Sequence, residues 1–183
     1  ILKALAENLR GIFVPFYGFF TDYLLEHLAA RDSADFVRAN ADAVLATTSS
    51  MTSRAKQMRR KRQHEEMELE ALQEKEAELD AAALDTLTLG FTYDTQGFAD
   101  SAFSKLCAVG DQLENYALGT ERYAALMADS LTPCLAQLAA ALGRNKKECW
   151  KVLNHQLLLH LRNDAPDVRR ATLQTLTAIW QKI

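Results

Sequence analysis

The feature that most constrains this fold is the stretch Asn-Asp-Ala-Pro-Asp-Val-Arg-Arg-Ala at residues 163–171. Asn163 and Asp164 are residue types that tolerate turn geometry at the end of a helix. Pro166 fits the first turn of a following helix, because its missing N–H is not needed there. From Val168 onward, apolar residues recur every three or four positions, as on one face of a helix. The stretch therefore predicts two antiparallel helices joined by a tight turn.

Composition restricts the rest of the chain to helices as well. Leu and Ala dominate the 183 residues, and a hydrophobic content of 49% is enough to fill a core. Seven Gly and three Pro leave little room for a turn-rich β fold. Three Cys without CxxC spacing do not make a disulfide framework, which predicts thiols in a reducing compartment. A net charge of −3 gives no overall attraction to nucleic acid, and no uninterrupted apolar run is long enough to cross a membrane.

The order Asp-x-Pro-x-Val-Arg in the turn is typical of HEAT repeats, which are helical hairpins stacked into a solenoid. The residues with structural roles there are Asp164, Pro166, Val168 and Arg169. We expect the Arg169 guanidinium to reach an acidic side chain in a neighbouring turn, as part of a ladder between repeats. The alternative is an ordinary antiparallel hairpin. The predicted fold class is all-α, a HEAT-type α-solenoid of stacked antiparallel helical hairpins with an inserted charged arm.

Three segments are expected along the chain. Residues 1–30 predict one long solenoid helix, kinked at Pro15. Residues 31–80 predict a linker followed by a charge-segregated, partly helical arm. Residues 81–183 predict C-terminal HEAT-like helical hairpins, including a helix over residues 100–116. The stripe expected to pack inward in the first helix consists of Leu2, Leu5, Leu9, Ile12, Phe16, Phe19 and Tyr23, and then reaches Leu28.

The charged arm separates its charges along the sequence. Residues 54–62 contain six Lys or Arg and no acid, whereas residues 65–80 contain eight acids and one Lys. The cationic part precedes the anionic part, which is the order that the helix dipole disfavours. We therefore interpret the arm as a solvated segment. The cations suit RNA phosphate or a nuclear localisation signal, and the alternative is a plain charged linker. The candidate RNA-contact or partner-contact residues are Arg54, Lys56, Arg59, Arg60, Lys61 and Arg62.

The sequence contains no constellation typical of an enzyme. There is no Gly-x-Ser-x-Gly elbow, Gly-rich phosphate loop or His-Glu-x-x-His motif. His155 and His160 lie near Cys149, but five residues on a helix turn through about 140°, so the two histidines face different directions. Cys107 and Cys134 fall on apolar faces and are interpreted as small core residues. We predict no enzyme activity, no catalytic residue, no cofactor and no metal site.

Five blocks of sequence resemble one family of nucleolar proteins. They are LRGIFVPF at 9–16, YDTQGF at 93–98, DQLEN at 111–115, LTPCLAQ at 131–137 and WKVLNHQLLL at 150–159. They resemble the C-terminal HEAT-repeat region of the large small-subunit-processome protein, the family of U-three small nucleolar RNA-associated protein ten. The resemblance covers roughly residues 1–30 and 85–183. It does not extend to residues 31–84, so it assigns no partner to the charged arm.

The resemblance implies a scaffold in the nucleolus, within the small-subunit processome, that supports transcription and processing of precursor ribosomal RNA. Its implied partners are other processome proteins, including WD-repeat propeller subunits, and the precursor RNA with its small nucleolar RNA particle, directly or indirectly. It implies no membrane and no small-molecule substrate. Two alternatives stay open. One is a direct precursor-RNA-binding module, and the other is a HEAT scaffold in nuclear transport or phosphatase regulation.

Overall fold

A computed structural model describes residues 1–29, 55–93, 99, 118–143 and 147–182, and all regular structure in these residues is helical. The α-helices in chain order are α1 (Leu2–Leu9), α2 (Tyr17–Ala29), α3 (Ala55–Thr92), α4 (Thr120–Leu126), α5 (Thr132–Leu142), α6 (Lys147–His160) and α7 (Pro166–Lys182). The 3-10 turns Arg10–Ile12 and Val14–Phe16 join α1 to α2, and the π-helical turn Met127–Leu131 joins α4 to α5. The predicted all-α class is confirmed.

The helices pack on one another in layers along the chain. α1 and α2 pack on α3, α3 packs on α5, α5 packs on α7, and α6 pairs with α7 as the last hairpin. One core runs from α2 to α7, and its fully buried side chains include Leu84, Leu138 and Ile179. A second, smaller cluster lies at α1 and the 3-10 turns. Such serial packing is the arrangement of a solenoid, in which each unit rests mainly on its neighbours.

Residues 1–29 form two helices rather than the single kinked helix predicted for residues 1–30. α1 ends at Arg10, whose φ of 47° is incompatible with a continuing helix. Pro15 then lacks an N–H, and its ring clashes with the carbonyl group four residues earlier, so the chain takes short 3-10 turns instead. Because these turns rotate the chain, the apolar side chains no longer follow one helical face. The buried side chains of this region are Ala6, Phe13 and Tyr17. Of the stripe expected to pack inward, Leu28 is buried and Leu2 packs against the cluster of Ala6, Phe13 and Tyr17. The other members are exposed, namely Leu5, Leu9, Ile12, Phe16, Phe19 and Tyr23.

α3 is one continuous helix of 38 residues, about 57 Å long at 1.5 Å per residue. It passes straight through the boundary that the sequence suggested between residues 80 and 81. Its C-terminal part is buried, with Asp80, Leu84 and Leu87 each at 0% exposure. Near its start, His64 and Glu66 are exposed. The packed part stabilises the helix, so the weak repulsion between like charges in the solvated part does not break it.

Pro133 is accommodated without ending the helix over residues 120–142. It lies in the first turn of α5, directly after the π-helical turn, which relieves the clash between its ring and the preceding turn. The helix ends at Gly143, where φ is +65° as glycine permits. This run, Thr120–Leu142, is the only helix of the described residues long and apolar enough to cross a membrane, with mean hydropathy 1.3 and half of it buried. An interior helix of a folded protein has the same properties.

Two predicted segments cannot be compared with the structure. The linker expected over residues 31–53 and the helix expected over residues 100–116 lie outside the described residues.

Candidate interaction surfaces

The turn between α6 and α7 brings together the residues singled out in the sequence. Pro166 is the first residue of α7, and Val168 is fully buried beneath the turn. The Oδ1 atom of Asn163 accepts a hydrogen bond from the Ala165 backbone N–H at 2.9 Å, which closes the turn locally. Asp164 is exposed. The turn is therefore a compact joint that sets the two helices antiparallel.

Arg169 binds backbone oxygens in this turn and not the acidic side chain that was expected. Its Nη1 atom donates to the carbonyl oxygens of Asn163 at 2.7 Å and Asp164 at 2.8 Å. Carbonyl groups just beyond a helix end lack partners within the helix, and a guanidinium has enough N–H groups to satisfy two of them. Arg169 thus ties the end of α6 to the start of α7.

The neighbouring charges do not extend this contact into a ladder between repeats. Arg170 lies 3.1 Å from Asp167, one turn earlier in the same helix, and both side chains are well exposed. An exposed ion pair within one helix contributes little to stability. Arg162 is also exposed. The edge of the turn is therefore a solvated surface.

One buried and one partly buried polar contact join layers of the array that the sequence did not link. Tyr123 Oη and His160 Nε2 are 2.7 Å apart, and their rings meet edge to face with centroids 5.8 Å apart. The hydroxyl groups of Thr132 and Thr175 are 2.6 Å apart. The first contact joins α4 to α6 and the second joins α5 to α7. A polar residue inside an apolar stripe, such as His160 after three leucines, is the one sequence signal that could have suggested such a partner.

Polar side-chain contacts anchor the first two helices on α3. His27 Nε2 lies 2.8 Å from Asp80 Oδ1, whose side chain is fully buried. Lys3 Nζ lies 2.7 Å from Asp85 Oδ2. The hydrogen bond from Lys3 to Asp85, together with the negative charge of Asp85, raises the pKa of the ammonium group. α1 and α2 are therefore held on α3 by polar side-chain contacts as well as by apolar packing.

The histidines and cysteines of the described residues do not form a metal site. No group of three or more His, Cys, Asp or Glu lies close enough together there to hold an ion. Cys134 is fully buried, as expected of a core residue, and burial raises the pKa of its thiol to about 12. His155 is exposed whereas His160 is buried. Cys107 lies outside the described residues.

The predicted cationic contact residues lie at the start of α3. Lys56, Arg59, Arg60, Lys61 and Arg62 occupy its first turns, where the backbone alone is described, and Arg54 lies outside the described residues. The acids that follow on the same helix include the exposed Glu66, Glu70 and Glu74. The helix therefore carries a positive N-terminal part next to a negative part before it enters the core.

Part of this sequence is similar to curated HEAT-repeat proteins. HEAT repeat-containing protein 1 of Danio rerio is 41% identical to this chain over 102 residues, which is 55% of this chain and 5% of that protein. The protein of the same name from Homo sapiens is 37% identical over 95 residues, 51% of this chain and 4% of that protein. These similarities support a HEAT-repeat protein of the same type.

The Dictyostelium discoideum homologue of HEAT repeat-containing protein 1 is 30% identical over 95 residues, 51% of this chain and 4% of that protein. No family model and no solved structure matches the chain. The family resemblance recognised in the sequence is confirmed, and so is the all-α HEAT solenoid. A HEAT-repeat protein is typically a scaffold. The chain spans 5% or less of the length of these relatives.

Proposed function

We propose that this chain is part of a scaffold subunit of the nucleolar small-subunit processome, which supports transcription and processing of precursor ribosomal RNA during small-subunit biogenesis. The observation that carries the proposal is the homology to HEAT repeat-containing protein 1. The blocks at 93–98 and 111–115 add to it, because they are not generic HEAT motifs.

The geometry suits a scaffold better than an enzyme. The layers are joined by a shared apolar core, by the buried contact of Tyr123 with His160 and by the partly buried contact of Thr132 with Thr175. These contacts use polar groups to hold helices in register, and the result is a stiff array that can keep distant partners in a fixed relation. The partners we propose are other processome proteins, including WD-repeat propellers, together with the precursor RNA and its small nucleolar RNA particle.

The test is a native pull-down of the tagged full-length protein, with sequencing of the bound RNA and mass spectrometry of the bound proteins. We expect precursor ribosomal RNA and processome subunits, and a nucleolar signal by imaging. Recovery of importins or phosphatase subunits instead would agree with the HEAT fold but would contradict the proposed processome function.

A matched pair of variants makes the test specific for this part of the protein. Leu157→Asp places a charge on a buried position of α6, whereas Leu158→Asp changes its exposed neighbour. If this hairpin supports assembly, the first variant loses processome subunits and the second keeps them. Equal recovery with both variants would show that assembly does not need this hairpin.

A second candidate function is direct binding of precursor RNA by the cations at the start of α3. The observation that favours it is that these cations lie on a helix whose nearest described side chains are exposed, away from the packed core. The helix N-terminus adds positive potential at the same end, so a polyanion is attracted there. No aromatic residue lies among the cations, so the contact would be to phosphates and not to stacked bases.

Replacing the six cations of residues 54–62 with Gln tests this second function. We expect crosslinking to precursor RNA to weaken and the salt dependence of binding to fall by about 0.7 in log–log slope per lost contact with single-stranded phosphate. The matched control replaces exposed cations elsewhere, Arg10, Lys151, Arg162 and Arg170, with Gln. Unchanged crosslinking in the first variant, or an equal loss in the control, would exclude a specific role for the cluster.

A further inference from the structure

One face of the charged part of α3 carries seven residues in a row. They follow one another in steps of three or four along a continuous helix, so the register places them on the same side, over a length of about 33 Å. The structure describes the side chains of the last five, and all five are exposed. We call this row the charged face. Its members are Lys56, Arg60, His64, Met67, Ala71, Glu74 and Glu78.

The charged face is positive at one end, apolar in the middle and negative at the other end. Lys56 and Arg60 lie four residues apart, and so do Glu74 and Glu78. Like charges at this spacing repel each other and weaken the helix that carries them. Met67, between the two ends, is 67% exposed. A partner that sets opposite charges beside each end would relieve the repulsion and cover Met67.

The order of the charges makes the face complementary to a second copy of itself. When two copies lie antiparallel with Met67 opposite Met67, Lys56 lies opposite Glu78 and Arg60 lies opposite Glu74, because each pair is equally distant from position 67 in sequence. A parallel alignment in register would instead set like charges against each other. The two-fold axis of the antiparallel arrangement forms each favourable pair twice, as in other isologous contacts.

The contacts on the other side of α3 leave this face open to a partner. Asp80 is fully buried, and Gln73 accepts a hydrogen bond from Arg122 of α4 at 3.4 Å. Positions 73 and 80 both lie more than about 100° around the helix from Met67. The array therefore holds α3 from the opposite side, and the charged face is turned away from it.

We propose that the charged face is the surface through which two copies of this protein pair, antiparallel and helix against helix. Exposed charge pairs contribute little affinity each, so we expect a weak dimer in which the charge order selects the partner and the alignment. The same cations are the candidate RNA contacts, so RNA and the second copy compete for them. The inference does not depend on the processome role.

Charge reversal tests the proposal in purified, nuclease-treated full-length protein that carries two different tags. Glu74→Lys with Glu78→Lys leaves cations at both ends, and Lys56→Glu with Arg60→Glu leaves acids at both ends. We expect each variant alone to co-purify with its own kind at least about tenfold less than the original protein does. A mixture of the two variants should restore pairing, because every facing pair is again opposite in charge. Unchanged pairing of each variant alone, or no recovery in the mixture, would overturn the proposal.

The matched control reverses two acids that lie outside the charged face. Asp22→Lys with Glu26→Lys changes exposed positions of α2 and alters the net charge by the same amount as the reversal on α3. We expect this variant to co-purify as the original protein does. An equal loss in the control would show that pairing follows net charge and not the charged face, and would overturn the proposal.

Photocrosslinking in the full-length protein tests which side of α3 meets the second copy. A photoreactive p-benzoylphenylalanine replaces Met67 in one variant and Leu72 in the other. Leu72 is 49% exposed but lies about 140° further around the helix. We expect position 67 to crosslink to the region around residue 67 of a differently tagged copy, and position 72 not to do so. Crosslinks from position 67 to a different polypeptide, or to no peptide, would overturn the proposal.

Discussion

The Nε2 atom of His27 lies 2.8 Å from the Oδ1 atom of Asp80, and the Asp80 side chain is fully buried. This contact joins α2 to α3 at the residue where the long helix passes from its charged, solvated part into the core. A buried carboxyl group is costly without hydrogen-bond partners, so the contact with His27 helps to accommodate Asp80 between α2 and α3.

Replacing His27 with Ala removes this partner of a buried carboxylate. We expect the free energy of unfolding to fall by about 2–3 kcal/mol, measured from the urea midpoint at constant slope. The matched control is His155→Ala, at an exposed position on α6, where we expect a change within about 0.5 kcal/mol. Similar losses in both variants would show that the contact between His27 and Asp80 contributes no more to the free energy of unfolding than an exposed histidine does.

The turn between α6 and α7 predicts a difference between two adjacent arginines. Arg169→Met removes both bonds to the Asn163 and Asp164 carbonyl oxygens, and we expect a loss of about 1–2 kcal/mol in thermal or chemical denaturation. Arg170→Met removes only an exposed pair, and we expect a change below about 0.5 kcal/mol. If Arg170→Met is the more damaging of the two, the assignment of Arg169 as the residue that closes the turn is wrong.

Adjacent leucines on α6 test which face of that helix packs inward. Leu157 is 3% exposed and Leu158 is 53% exposed. Leu157→Asp puts an unpaired charge into the core, and we expect the free energy of unfolding to fall by several kcal/mol. A loss of that size is enough to unfold a domain of ordinary, marginal stability. Leu158→Asp should stay within about 0.5 kcal/mol of the original protein. Circular dichroism melting of the two variants measures the contrast, and near-identical curves would contradict the packing of α6.

Alkaline pH should destabilise the protein through buried acids whose pKa values are raised. Burial raises the pKa of the Cys134 thiol from 9.0 to about 12. Burial, and then the charge of Tyr93, raises the pKa of the Tyr17 hydroxyl from 10.0 to about 12. The folded state therefore holds these protons more tightly than the unfolded state, so their stabilising effect is complete below the unfolded pKa values and is lost as pH rises towards 12.

We expect the melting temperature to begin to fall above about pH 9 and to fall less steeply in a Cys134→Ala variant, which lacks one of the two buried acids. For each protein, the melting temperature at every pH is expressed as the difference from its own melting temperature at about pH 8. This subtraction corrects for the stability that the variant loses at all pH values because its smaller side chain packs less well. Parallel pH profiles would exclude a contribution from Cys134 to the alkaline transition.

The sequence by itself determined the class of fold and the chemistry of its turn. Helix periodicity and turn preferences are local properties, so Pro166 begins α7, Gly143 has a positive φ, and the residues after each form the helices that their patterns indicate. The buried Cys134 and the absence of an enzyme motif were also open to sequence reasoning, because both depend on residue type and on near neighbours.

Only the tertiary structure decided which faces meet. Phe16 and Phe19 belong to a perfectly periodic stripe, yet Phe13 and Tyr17 are the side chains that α3 covers, because the 3-10 turns around Pro15 rotate the chain. The partner of His160 lies 37 positions away in sequence. Periodicity specifies that a face is apolar and does not specify its partner, since that choice depends on distant segments that pack together only in the folded chain.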